Sequence, residues 1–408
     1  MNIVDAKIQD AWDFVFTKLV HPATNQIYDF RTSEDDDGAF RHLPTPEEIA
    51  ACIPNPCGWK SGMEDSDING GIMLDAAIYR YEAEGDESVK KYIYQLYDGL
   101  MLNASVSEQE GFLARAVLPY DGKSHYINPS RDQYTHWIYA MVHFYNSSLS
   151  SKAQKDLIRE KLVSMAKKAE HDVTAENDYS LLREDGKPAK VCSMIYGGVR
   201  WHEALRMQMF YMAAYHVSGD AHWLDMYRSV RDWGLEKSEA IQFGFNNYAD
   251  VFCLMQMQYS ARLIYDYEED AEYKQRYLTL LNRIAEGSEI YIHEARQRLE
   301  GYPNYRTVVS WRECPDEFIH VDGDSYGYKF DYHNVYRAST GYSYELLRNA
   351  SEGLITQCLA PGYKVKGDQI DAFYDVIDIV DLKNCFNYCP VNFIGAYWSL
   401  IHTGNIQR

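Results

Sequence analysis

Two kinds of helix alternate along this chain, and the alternation restricts the fold more than any other feature. The first kind carries a single apolar face. In VKKYIYQLYDGLML, Val89, Tyr92, Ile93, Leu96, Tyr97, Leu100 and Met101 follow the i, i+3, i+4, i+7 series, the pattern of a helix with one wet side. Segment 151–170 sets Leu157, Ile158, Leu162 and Val163 against lysines, and the segment from His222 repeats the pattern with Trp223, Tyr227, Val230 and Trp233. The second kind is apolar nearly all round and covers approximately 69–85, 131–148, 199–218, 247–266, 333–347 and 390–403. A helix apolar on every side is buried on every side.

The connections alternate as well. Short polar turns (EGDES, NSSLSS, VSGDAH, YEEDAEY) lead from a buried helix to the next amphipathic one, and long segments (20–68, 105–130, 176–198, 298–331) lead back inward. Outer helix, long loop, inner helix and short turn therefore recur six times, the signature of a repeat architecture. Six such hairpins close into a ring: an all-α (α/α)6 toroid, or six-hairpin barrel, forming a single domain over 1–408. An open solenoid fits less well, because the repeats share no sequence and their loops are very unequal. Short strands are expected only in 110–128 and 303–330.

Composition removes several functions. A formal net charge of −20 supplies no basic excess to replace phosphate counterions, so nucleic acid is not an expected partner; nor is a membrane. The 35 Tyr, 15 Phe and 8 Trp suit tyrosine-packed helices, and also clefts in which rings stack on sugars. Eight cysteines without CxxC pairs read as reduced packing residues. MNIVDAKIQDAWDFVF has no basic segment leading into an apolar core, so the expectation is a soluble cytoplasmic protein, with a periplasmic one as the alternative if a leader has been removed. No P-loop, dinucleotide fingerprint or GxSxG elbow occurs. DGDSYG lacks EF-hand spacing and reads as a plain turn; no metal and no cofactor are expected.

The alternation gathers the N-termini of all inner helices at the end of the ring that carries the long loops. Those termini hold unpaired N–H groups and partial positive charge, and long loops in a compact domain are usually functional. The first junction, GWKSGMEDSDINGG, offers Trp59, Lys60, Glu64, Asp65 and Asp67, a dense carboxylate site. Against this, Asp67 also reads as an N-cap complementing the helix dipole. The second offers Arg115, Arg131, Asp132, Tyr134 and His136. His136 follows Asp132 by one turn, so the two can meet and tune a proton donor; a structural Arg–Asp cap with a packed histidine is the other reading. The third offers Tyr196, Arg200, Trp201 and His202, where tryptophan beside arginine suits a sugar ring bearing a carboxylate. Asn246, Asn247 and Asp250 form the fourth; His320, Asp322, Asp324, Tyr332 and His333 form the fifth.

SGMEDSDINGG, GFLARAVLPY and NPSRDQYTHW resemble the six-hairpin glycosidases that act on uronates. They are most similar to the unsaturated glucuronyl hydrolases and to the β-glucuronidase family numbered 154 among glycoside hydrolases. Through the helix alternation the resemblance covers essentially the whole chain. It implies an acid or acid pair at the heads of early inner helices, which falls here on Glu64 or Asp65 and on Asp132. The usual tryptophan–glycine motif of the unsaturated-substrate enzymes is matched only in part by GGVRWHEALR, so an ordinary glucuronoside is the expected substrate.

The expected activity is removal of a terminal, glucuronic-type uronic acid from an oligosaccharide. One of Glu64, Asp65 and Asp132 would act as general acid, with another activating water or attacking directly and His136 beside them. Arg115, Arg131 and Arg200 would hold the uronate, with Tyr134, Tyr196, Trp201, His202 and His333 against the sugar. Two alternatives remain: a polysaccharide lyase with a tyrosine or histidine base, and a non-catalytic carbohydrate-binding helical protein.

Overall fold

A computed structural model describes residues 3–243, 250–299, 310–313 and 341–407, without the side chains of 298–299, 341–347 and 349. The outer helix α1 (Ile3–Phe14) leads through a long segment to the inner helix α2 (Ser66–Glu84). Outer α3 (Lys90–Asn103) precedes inner α4 (Arg131–Asn146), and α5 (Lys152–Asp172) precedes α6 (Arg206–Ser218). Next, α7 (Ala221–Glu239) precedes α8 (Val251–Tyr267). Outer α9 (Ala271–Gly287), continued by a short α10 (Ile290–Leu299), precedes α11 (Gly341–Cys358). Outer α12 (Gly367–Ile379) precedes α13 (Cys389–His402). Helix α2 packs between α4 and α13, α8 packs between α6 and α11, and α11 packs on α13, so the inner helices close a ring. The fold is an (α/α)6 toroid.

The two helix kinds take the positions their sequences dictate. In α2, burial is unbroken from Ser66 to Ile78. In α5 only one stripe is buried, including Ile158, Leu162, Met165 and Ala169, as expected for a helix with one face in water. Closure depends on close approach: a Cβ on Gly395 would lie 2.6 Å from Ile72 Cγ2, and one on Gly71 would lie 2.9 Å from the His136 carbonyl oxygen.

Three outer helices cap themselves: Ser151 and Gln154 form a capping box at α5, and Asp220 and Asp270 accept N–H groups at α7 and α9, whereas α3 and α12 have no such cap. Among the inner helices Ser130 caps α4, while α2, α6, α8 and α13 have no side-chain cap from their own N-cap residue. Their donors are left to whatever gathers at that end of the ring.

Several boundaries differ from the sequence expectation. Helix α6 starts at Arg206, because residues 201–205 form turns. Helix α8 starts at Val251, and the fifth inner helix is 341–358 instead of 333–347, with 333–340 outside the described residues. Segment 110–128 contains no strand. Hairpins form instead from β1 (Val20–His21) with β2 (Gln26–Ile27), and from β3 (Ser180–Leu182) with β4 (Pro188–Ser193). Segment 303–330 is described only at 310–313. Among the described residues no helix is long and apolar enough to cross a membrane.

Candidate active site

The inner-helix N-termini surround a cavity of about 260 Å³. Its first wall is the head of α2. Asp65 is the N-cap residue there, yet its carboxyl does not cap the helix. Gln133 of α4 does so instead: its Oε1 accepts the N–H groups of Asp67 (3.0 Å) and Ile68 (3.3 Å). Its Nε2 donates to the Glu64 carbonyl (2.9 Å) and to Asp65 Oδ1 (3.0 Å). Asp29, from the segment after β2, receives the Glu64 N–H on Oδ2 at 2.7 Å and the Asp65 N–H on Oδ1 at 2.9 Å. The Asp65 side chain is thereby released from capping and faces the cavity. Burial, then the neighbouring Glu64 charge, raise its pKa to about 7.

The second wall is the head of α4, where Asp132 has the opposite character. Burial pushes its pKa up, but Arg206 and then Arg131 outweigh burial and hold it below the ordinary carboxylate value. Arg206 Nη1 is 3.5 Å from Asp132 Oδ1, and Arg131 Nε is 4.0 Å away. The aspartates heading α2 and α4 therefore differ: Asp65 keeps its proton near neutrality and Asp132 does not.

Arg131 and Arg206 each occupy the first position of an inner helix, where the dipole disfavours a cation. Local acids offset that cost. Arg131 pairs with the buried Glu203 and donates to the Ser193 carbonyl at 3.0 Å. Arg206 bonds Thr135 Oγ1 and donates to Gln256 Oε1 at 2.7 Å. Three more arginines reach the cavity. Arg115 is buried over the Trp59 ring, 5.9 Å from its centre. Arg348 pairs with Glu352 at 2.8 Å. The Arg200 side chain is 69 % exposed and contacts Glu203 at 3.3 Å. Beneath these groups, His136 and Tyr139 of α4 meet the Tyr259 ring of α8 at 4.9 and 4.6 Å. This aromatic layer crosses the ring under the Thr135–Arg206–Gln256 bonds.

Of the residues expected from sequence, Glu64, Asp65, Arg115, Arg131, Asp132, Arg200 and His202 line the cavity. His202 is a buried neutral imidazole, lowered to about 4 by desolvation, and its Nδ1 has no hydrogen-bond partner among the described residues. Six others stand off the wall. The Tyr134 hydroxyl donates to the Gly111 carbonyl at 2.9 Å and accepts the Leu113 N–H at 3.0 Å, so backbone occupies it. His136 lies in the core layer, and burial lowers it to about 3, so it is neutral beside Asp132 and brings no positive charge there. Tyr196 is exposed against Tyr179 and Trp233, and Trp201 packs behind His202 at 5.1 Å. Asp67 points into the core, accepting from Asn103 Nδ2 at 2.8 Å. Asp250 is exposed at the head of α8. Asn246, Asn247, His320, Asp322, Asp324, Tyr332 and His333 lie outside the described residues.

Sequence reasoning missed Asp29, Gln133, Glu203, Arg206, Gln256, Arg348 and Tyr388. Arg206 had a readable signal, an arginine heading an apolar helix just as Arg131 does. Glu203 sits three residues after Arg200, a spacing that brings side chains together. Asp29 had none, being one acid in a long loop. Among the described residues no group of three His, Cys, Asp or Glu side chains is placed to hold a metal ion.

No family model and no curated protein matches the chain. Among solved structures, the chain is similar to a sugar epimerase from a ruminal bacterium, at 11% identity with 100% of both chains covered and a TM-score of 0.52. It is also similar to a D-mannose isomerase, at 11% identity with 99% of this chain and 97% of that one covered and a TM-score of 0.47. An α-amylase from Clostridium perfringens matches at 11% identity, with 97% of each chain covered and a TM-score of 0.46. At this identity the likeness to the sugar epimerase concerns the fold alone.

Proposed function

We propose that this chain is a glycoside hydrolase that removes a terminal, glucuronic-type uronic acid from an oligosaccharide. The observation that carries the reading is the pairing of Asp65, raised to about 7, with an ionised Asp132 in one cavity rich in arginine. Two carboxyl groups pushed apart in proton affinity divide the work of an acid and a base. Asp65 would protonate the glycosidic oxygen as it leaves. Asp132 would activate water or attack the sugar, the choice depending on the carboxyl separation in the substrate complex. Arg200 extends into the cavity from the rim, and Arg115 and Arg348 approach from the walls; a planar carboxylate suits their forked donors. A cavity of about 260 Å³ lined in part by Phe30, Trp59, Phe252 and Tyr388 suits one sugar ring, which supports action at a chain end.

The test compares uronides with neutral glycosides of the same linkage and leaving group. The reading expects release of new reducing ends from the uronide and little from its neutral counterpart. Equal turnover of both would remove the uronate assignment.

One observation favours a second reading, a lyase. The Nδ1 of the neutral His202, unpartnered among the described residues, could take the proton beside the uronate carboxylate, which arginine acidifies, as the C–O bond to the leaving sugar breaks. That reaction would give an unsaturated, ultraviolet-absorbing product without consuming water.

A further inference from the structure

We propose that Asp29 is a positioning residue for Asp65: by accepting the N–H groups of both Glu64 and Asp65 on its two carboxyl oxygens, it fixes the head of α2 so that Asp65 faces the cavity with a second carboxyl beside it. This rests on the reading of Asp65 as the proton donor.

Asp29 is itself held rigidly. Its N–H donates to the Gly62 carbonyl at 3.1 Å, and its carbonyl accepts the Tyr388 N–H at 3.1 Å. The neighbouring Phe30 forms a bridge with Asn387. The segment thus ties the start of α13 to the start of α2 where the ring closes, and the carboxyl is 6 % exposed. An ordinary cap would use the helix's own N-cap residue. Here Gln133 caps α2 and Asp29 holds the two preceding N–H groups, which together leave the Asp65 side chain available for chemistry.

The second consequence is electrostatic. Burial, then the Asp65 and Glu64 charges, raise Asp29, while the two N–H bonds favour its ionised form. Coupling between two acids is mutual, so they titrate as a unit. The other charges facing Asp65 are Glu64 and Asp132, which raise it, and Arg348 and Arg115, which lower it. The Tyr388 hydroxyl stands 3.5 Å from Oδ2.

The experiment uses Asp29→Asn and Asp29→Glu in the full chain. The Asp65 carboxyl is titrated by NMR with carboxyl-labelled aspartate, assigned with Asp65→Asn. The asparagine variant turns one of the two acceptors into a donor facing an N–H group, so the head of α2 shifts, the Asp65 carboxyl moves relative to Glu64, and its midpoint departs from about 7; an unchanged midpoint overturns the proposal, whatever substrate the enzyme takes. With a uronide, the same variant loses on the order of 100-fold in kcat through misplacement of the acid, with little change in KM. Its alkaline pH limb moves in step with the midpoint. Asp29→Glu keeps the carboxyl on a longer arm that misplaces both acceptors, so kcat drops. Wild-type kcat in a folded Asp29→Glu variant overturns the positioning role even if the asparagine variant does not fold. Absence of uronide turnover in the wild type would remove the functional reading and leave the NMR result to decide the role of Asp29.

Discussion

At the residue scale the site depends on two aspartates in contrasting surroundings. Asp65 is desolvated and faces Glu64, so its proton is lost only near pH 7. Asp132 is held ionised by Arg206 and Arg131. A hydrolase built this way is active while Asp65 is protonated and Asp132 is not. Its rate should fall as pH rises through about 7, and on the acid side only below the ordinary carboxylate range, near about 4. A pH profile of kcat/KM on a uronide checks this; a rate still rising above pH 7 would remove Asp65 as the acid. The paired arginines were legible only in part. Arg131 was visible as a charge heading an apolar helix, but its partner Glu203 comes from a turn that the sequence pattern assigned to helix.

At the element scale, the heads of α2 and α4 form one unit through Gln133. That single side chain caps α2 and supports Asp65, and it follows Asp132 directly in the chain. Gln133→Leu keeps much of the volume and leaves two buried N–H groups without an acceptor, at a cost of about 1–3 kcal/mol each before relaxation. The variant should unfold at a lower denaturant midpoint and lose activity beyond its loss of folded protein. An unchanged midpoint would show that another group caps α2. The alternation of helices was readable because burial imposes a pattern on every residue of a helix. The cap was not, because Gln133 and the N–H groups it serves are more than 60 residues apart in sequence, and nothing local at either end marks the contact. Loop 20–68 concealed Asp29 for the same reason: its role comes from ring closure, which no local pattern encodes.

At the scale of the whole molecule, the buried ionisable groups set the pH range of stability. Burial lowers His42 and His136 to about 3 and His202 to about 4. Between about pH 4 and 6.5 the unfolded chain binds protons that these rings refuse, so their contribution falls as pH falls. Burial raises Asp29 and Asp67 well above their ordinary values and Asp65 to about 7. These acids hold protons the unfolded chain has lost, and their contribution falls as pH rises toward their folded values. The two sets oppose each other below about pH 6.5. Above it the histidines are neutral in both states and only the acids act, so the melting temperature should decline toward alkaline pH. Asp67→Asn, at a core position outside the cavity, should then raise the melting temperature more at about pH 8 than at about pH 5. An equal change at both would mean that Asp67 is ionised in the folded protein.

The central claim is hydrolysis by Asp65 and Asp132 together. Its most direct test follows ultraviolet absorbance and reducing-end release on a uronate oligosaccharide with the wild type, Asp65→Asn and Asp132→Asn, each shown to be folded. Hydrolysis by this pair predicts flat absorbance and new reducing ends for the wild type, and near-complete loss of release in both variants. Rising absorbance, or normal release from either folded variant, would contradict it.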